Sequence, residues 1–232
     1  MAKSPNFPGF PLGLSHFLEE LSRNNNKRWF DTNKDRYERD LRIPALGFIA
    51  AMAKPLAAIS PHFRAEAKKV GGSLMRIHRD VRFGNDKTPY KTNVGIHFRH
   101  ESAKDVHAPG FYFHIDLNEV FLGAGVWHPE STPLAAIRTA IAEEPKRWKR
   151  VRDGKRFRTA WDLGGDTLKR PPRGYEADDP MIEDLKRKDH IAVTNLSHDD
   201  LFADDVVDRV STAFRSAKPY VGFLCEALKV PF

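Results

Sequence analysis

The densest chemistry in the chain lies between Arg76 and Lys91. Arg76, Arg79, Arg82, Lys87 and Lys91 are interleaved there with Asp80 and Asp86, and Tyr90 adds a phenol. Arginine's planar fork suits bidentate recognition of phosphate or carboxylate, and lysine adds a point charge. Read with the two-residue period of a strand, Arg76, His78, Asp80 and Arg82 share one face. The following loop, Gly84–Lys91, is longer than a tight hairpin needs, as functional loops often are. Folded back, it brings Lys87, Tyr90 and Lys91 towards the arginines, with Asp80 and Asp86 holding the cations in place. That is an anion site. The same residues also read as a salt-bridge network that pins the hairpin, and Asp86-Lys87 beside Pro89 is ordinary turn chemistry.

A second group is built from histidine. Five of the ten histidines fall in one stretch: His97, His100, His107, His114 and His128. His114 beside Tyr112 and Asp116 is a candidate general base with a carboxylate at hand. His97, His114 and Asp116 are also a candidate two-histidine, one-carboxylate metal set, ranked below the anion site. Histidine on a half-exposed strand is more often a hydrogen-bonded surface residue, and His100 and His107 read as incidental loop residues. No motif specifies a cofactor. Gly71-Gly72 precedes a strand and Gly123-x-Gly125 lies within one, so neither cradles a phosphate; glycines there let a ligand or a neighbouring backbone come close. Cys225 belongs to an apolar C-terminal helix and reads as core.

The central string, R-x-x-R-D-x-R-F-x-x-D-K-x-P-Y-K from Arg76 to Lys91, resembles the signature of a mostly bacterial family of conserved hypothetical proteins, known only as a domain of unknown function. The resemblance extends to Asn24-Asn25, Trp29-Phe30, Asn33-Lys34 and Tyr37-Glu38, and later to Pro172-Arg173-Gly174-Tyr175, Asp179-Pro180 and Leu185-Lys186. It implies a family spanning nearly the whole chain and no assigned activity.

Period arguments supply the elements that must position these groups. Leu14, Phe17, Leu18 and Leu21 form one helical stripe; Asn24-Asn25-Asn26 ends that helix and caps the next. Trp29, Phe30, Asn33 and Tyr37 continue a helical face, Pro44 marks a break, and Leu46, Ile49, Ala50, Ala53 and Leu56 form another stripe that ends near Pro61. Alternation then predicts strands over Ser73–Phe83, Asn93–Arg99, Phe111–Leu117 and Val120–Trp127, an antiparallel meander with one apolar face and one rich in Arg, His and aromatic groups. Thr132-Pro133 caps and opens a helix over Leu134, Ile137 and Ile141. Residues 153–179 read as a long irregular connection. His190–Thr194 adds a strand, and helices close the chain around Val206–Phe214 and Tyr220–Leu228. The expectation is a single α+β domain over 1–232, with a central antiparallel sheet of four to five strands flanked by N-terminal and C-terminal helices, and with 153–179 as the weakest point for a boundary.

Composition narrows the function. The chain has 232 residues, 41% hydrophobic and 30% charged, with a formal net charge of +7. A domain of this length buries roughly 70% of its unfolded surface, enough for a core without staples. One cysteine excludes a disulfide framework and a cysteine-built zinc site. The longest apolar stretch, Leu46–Ala58, is broken by Lys54 and Pro55, so no membrane span is expected, and a cytoplasmic location is the default. The first reading is a small-molecule site, and so a possible enzyme, that binds a phosphate- or carboxylate-bearing ligand on the polar sheet face. The second is a structural or interaction protein whose motif only holds the hairpin. The third is a nucleic-acid module that stacks bases on Tyr112, Phe121 and Trp127. It ranks last because the excess charge is modest and Asp199, Asp200, Asp204, Asp205 and Asp208 would repel a long polyanion. The basic run Lys146–Arg158 reads as a solvated face.

Overall fold

The computed structural model describes residues 7–82, 85–102 and 108–232. The protein is α+β. Five strands form one antiparallel sheet: β1 (Val94–Arg99), β2 (Gly110–Ile115), β3 (Val120–Val126), β4 (Asp162–Gly164) and β5 (His190–Leu196), in the spatial order β1-β2-β3-β5-β4. Before the sheet come α1 (Gly13–Arg23), α2 (Lys27–Thr32), α3 (Lys34–Arg36) and α4 (Ile43–Ile59). Between β3 and β5 lie α5 (Ser131–Glu143), α6 (Pro145–Arg152), α7 (Lys155–Ala160) and α8 (Ile182–Leu185). The chain ends in α9 (His198–Phe202), α10 (Val206–Ser216) and α11 (Lys218–Ala227).

Strand alternation and register together build the core. Phe98, Phe111, Ala124 and Ala192 lie opposite one another across four strands, and Ile96, Phe113 and Leu122 form the next row. All of these side chains are buried. Phe48 of α4 packs on Phe113 with centroids 5.2 Å apart, and Phe214 of α10 packs on Phe111 at 4.8 Å. The α1 stripe, Leu14, Phe17, Leu18 and Leu21, is buried as its spacing predicts. Asn26 caps α2 by accepting from the Trp29 N–H. Cys225 is fully buried, which pushes its thiol up to about 12.

Four expectations need correction. Ser73–Phe83 is not a strand of the sheet. The described part of it lies alongside β1 through isolated pairings, Leu74 with Ile96 and His78 with Tyr90. The His97 N–H donates to the Ser73 carbonyl and the Met75 N–H to that of Gly95; further on, the Arg79 N–H donates to Pro89. The backbone therefore changes partners midway, which no regular ladder allows. Arg79 breaks the alternation at the same place; Arg76, His78, Arg79, Asp80 and Arg82 are all exposed, and among the segment's described residues Ser73 and Ile77 are buried. Phe83, Gly84 and His107 lie outside the described residues. Second, the stretch 153–179 supplies α7 and β4, and β4 pairs with β5 at the sheet edge. Third, the helix does not break at Pro44. α3 passes into α4 through a π-helical turn, Tyr37–Arg42, and Pro44 falls in the first turn of α4. Proline lacks an N–H and crowds the carbonyl four residues back, and a widened turn relieves both. The continuous helical run Lys34–Ile59 is in fact long and apolar enough to cross a membrane by length and composition. Its side chains Phe48, Ile49, Met52, Leu56 and Ile59 are buried in the core. Fourth, α5 starts at Ser131 without a side-chain cap, so Thr132 is its second residue and no cap.

Among the described residues, His190 is the one imidazole with no exposed surface. Neither ring nitrogen has a hydrogen-bond partner, and Trp148 meets it edge-on at 6.2 Å. Burial, aided by the charges of Arg187 and Arg138, lowers its pKa from 6.5 to about 3. The unfolded chain therefore binds a proton here that the folded chain refuses, so this group's contribution to stability falls as pH falls from about 6.5 towards 3. Unfolding free energies measured by denaturant titration across this window should decline less steeply for His190→Leu than for wild type. Parallel profiles would show that the imidazole does not stay neutral in the folded state.

Candidate functional site

The sheet face opposite the helices carries the site. Alternation places Gly95 and His97 of β1, Gly110, Tyr112 and His114 of β2, Phe121, Gly123 and Gly125 of β3, and Ile191 and Val193 of β5 on this face. Its glycines are close-approach positions. A Cβ on Gly95 would sit 2.8 Å from the Tyr112 hydroxyl, and one on Gly110 would collide with the His97 ring. The two rings thus lie flat across glycines on neighbouring strands. Beside Gly123 only the Tyr112 side chain comes near, at ordinary contact distance. The floor stays low there, and a pocket of about 510 Å³ opens above it. Met75, Tyr112, Phe121, Trp127, Ile191 and Val193 give it apolar walls, and Lys91 and His114 reach its edge. A concave, mostly apolar cavity with a few polar groups is the usual form of a small-molecule site. At its rim, Trp127 is half exposed and stacks on His128, centroids 4.2 Å apart. His128 adopts left-handed backbone, φ 46°, held by the buried Asp189, which accepts from its backbone N–H at 2.7 Å.

Tyr112, His114 and Asp116 form a chain of hydrogen bonds. His114 Nε2 and Asp116 Oδ2 are 3.0 Å apart, and Tyr112 Oη lies 3.1 Å from His114 Nδ1. A carboxylate only accepts, so Nε2 carries the hydrogen and Nδ1 accepts from the phenol. The ring is held by stacking on Phe121, centroids 4.6 Å apart and planes at 12°. Asp116 Oδ1 accepts the N–H groups of Asn118 and Glu119. The His114 contact and these turn bonds outweigh burial and hold the carboxyl below its usual value. Burial pushes the Tyr112 phenol up to about 12, so it is a protonated donor at neutral pH. His97 does not complete a metal set with this pair: it faces Tyr112 on the neighbouring strand. Among the described residues, the group close enough to chelate a cation is His114, Asp116 and Glu119.

The arginine-rich segment divides. Arg79 pairs with Asp86 and donates to Thr88 Oγ1 at 2.9 Å. Arg82 makes a two-point contact with Asp80, at 2.9 and 2.7 Å. Lys87 Nζ donates to the Val81 carbonyl at 2.9 Å. These contacts tie the loop to itself. Tyr90 leaves the site and enters the core, stacked on Phe30 with centroids 4.1 Å apart and planes at 16°. Asn25 holds its backbone at two points: Nδ2 donates to the Tyr90 carbonyl at 2.9 Å, and the Tyr90 N–H donates to Oδ1 at 3.0 Å. Arg76 and Lys91 remain. Among the described residues, neither side chain has an ion pair or hydrogen bond. Lys91 lines the apolar pocket and also a polar groove formed with Arg79, Asp80, Thr92 and Asn93. Partial burial, then the charges of Arg76 and Arg79, lower its pKa.

One family of conserved hypothetical proteins, DUF2461, matches residues 14–223. The chain belongs to that family. No curated protein and no solved structure matches it. The DUF2461 match takes in the whole pocket, the Arg76–Lys91 segment and the Asn25 clamp. Membership carries no activity with it, so function rests on this geometry.

Sequence reasoning reached the polar groups of this DUF2461 site and missed much of its apolar lining. Met75, Ile191 and Val193 carry no chemical signal of their own, and β5 becomes the neighbour of β3 only through a long connection. Nor does Asn25 advertise itself, since its partner lies 65 residues away. Its clamp is testable. Asn25→Ala leaves two part-buried backbone groups without their partner and should cost about 1–3 kcal/mol in denaturant unfolding. Arg23→Ala removes an exposed pair with Glu19 and should leave the midpoint unchanged. Equal losses in both variants would show that the clamp has no special weight.

Proposed function

We propose that this protein binds a small molecule with a phosphate or carboxylate at one end and a flat apolar body. The observation that carries this reading is Lys91. Its amine sits where the apolar pocket meets the polar groove, beside Arg76 and Arg79, with no carboxylate paired to it. Holding an uncompensated, half-buried cation among other cations costs the fold stability. An anion at that junction offsets the cost, and the neighbouring positive charges favour it. The apolar body then lies over Gly123 against the Tyr112 ring, where an offset stack suits a flat group. The loop pairs Arg79–Asp86 and Arg82–Asp80 support a structural role for those residues, so the ligand-facing charge falls first to Lys91, with Arg79 bordering the polar groove and Arg76 adding its charge nearby.

A thermal-shift panel of phosphate, aryl phosphates, aryl carboxylates and nucleotides tests this reading. A ligand present at a hundred times its Kd adds about 2.7 kcal/mol. That corresponds to a rise of about 5–10 °C for a domain of this size. Lys91→Met should melt no lower than wild type, because it removes a strained charge, and should lose the shift. Gly123→Val should fold and lose it too, by filling the floor of the pocket. A panel in which no anion shifts wild type, or in which both variants respond as wild type does, would refute the reading.

A further inference from the structure

We propose that Lys91 is also an amine nucleophile: within the anion site just described, on which this inference rests, its Nζ condenses with the carbonyl of an oxo acid to form a Schiff base. Three observations converge on it. Lys91 is the lysine that lines the apolar pocket. Its amine has no carboxylate to hold it as an ammonium, whereas Lys27, Lys68 and Lys186 each pair with one. Arg76 and Arg79 are its charged neighbours, and with burial they favour the neutral, nucleophilic form. Desolvation beside a second cation is a general route to a reactive lysine. Arg79 borders the groove beside Lys91 while paired with Asp86, and its charge with that of Arg76 favours the substrate's carboxylate there, which leaves a ketone one or two carbons away for Nζ.

The pocket also holds a group able to move the protons. Tyr112 lines it, with its hydroxyl hydrogen-bonded to His114 and His114 to Asp116. The phenol oxygen can take a proton as its own passes to His114 Nδ1, the resulting imidazolium being stabilised by Asp116. The sequence of bonds balances. The ammonium gives a proton to this relay, and the amine adds to the carbonyl carbon. A proton then moves from nitrogen to oxygen to give the carbinolamine. The stored proton returns to the hydroxyl, and water leaves as the C=N bond forms. Ammonium and ketone together contain all the atoms and the charge of the iminium plus one water, so no oxidant, reductant or metal takes part. The iminium keeps the positive charge of the lysine, and the apolar walls limit its hydrolysis.

The probe is phenylpyruvate, whose ring, carboxylate and ketone match the three parts of the site; 3-phenylpropanoate has the same skeleton without the ketone. Full-length protein is incubated with each at neutral pH and treated with cyanoborohydride. Intact mass and peptide mapping follow. We expect a single reduced adduct with phenylpyruvate, on the peptide that contains Lys91, formed ahead of any adduct on an exposed lysine. It should be lost in Lys91→Arg, which keeps the charge, and absent with 3-phenylpropanoate. Tyr112→Phe should still bind 3-phenylpropanoate and form the adduct more slowly. If 3-phenylpropanoate raises the melting temperature but no Lys91 adduct forms, the Schiff-base inference is overturned and the binding reading stands. If neither compound shifts the melting temperature and adducts scatter over surface lysines, both fail for this ligand class. Labelling that persists unchanged in Lys91→Arg also overturns the inference.

Discussion

Asn25 holds the backbone of Tyr90 at two points, and the geometry of the site hangs from that clamp. The residues between Arg76 and Lys91 have no regular ladder to define them. Their position is set by a few backbone bonds, by Phe30 stacked on Tyr90, and by the Asn25 amide, which satisfies both a donor and an acceptor that a buried chain cannot leave unmade. Lys91 follows Tyr90 directly. With Tyr90 buried in the N-terminal helices, Lys91 is delivered to the edge of the sheet, half-buried, at the mouth of the pocket. The loop's own ion pairs then shape what remains exposed. The helical N-terminal region is therefore part of the site although none of its side chains lines the main pocket.

The second dependence is on missing side chains. A strand face that alternates aromatic or imidazole rings with glycine is a poor surface for packing another layer, because it is stepped. Here the steps are used: the Tyr112 and His97 rings lie across Gly95 and Gly110, and Gly123 keeps the floor between them low. Laying Tyr112 flat is also what brings its hydroxyl to His114. Stacking of His114 on Phe121 and the turn bonds to Asp116 hold the rest of the chain of hydrogen bonds still. The face expected from alternation to be polar is thus largely carbon, with its polar atoms gathered along one edge.

This explains which parts were legible in the sequence. β1, β2 and β3 show in the two-residue period because residue type alternates between their faces, Phe98, Phe111 and Phe113 with His97, Tyr112 and His114, even though β1 is buried on both. The α1 stripe shows for the same reason. Ser73–Phe83 misled because charges at alternate positions imitate a strand even where the backbone serves two partners. β4 was invisible: three residues with no buried side chain carry no period. Tyr90 looked like a site hydroxyl because its ring stacks on a residue 60 positions earlier, which no local pattern reveals. The hydrogen-bonded chain Tyr112, His114 and Asp116 was legible because strand neighbours two apart share a face. The apolar walls were not, because Val193 and Ile191 read as any strand would.

Charge gives the last step. Residues 76–99 hold an excess of four positive charges, which in the sequence looks like a diffuse basic patch. In the fold the excess is apportioned. Arg79 and Arg82 are matched by Asp86 and Asp80, Lys87 is spent on the Val81 carbonyl and Arg99 donates to that of Gly71 at 3.2 Å. Arg76 and Lys91 are left over, and the charges of Arg76 and Arg79 both press on Lys91. Solvated cations at a surface repel weakly, because water and salt screen them. Lys91 is partly withdrawn from that screening, so its charge is destabilising where it stands unless something negative arrives or the proton leaves. The first outcome is an ion pair and the second a neutral amine, and either would arise at the edge of an apolar pocket. A residue that weakens the fold and lines a cavity is better explained by what the cavity receives than by the packing it disturbs.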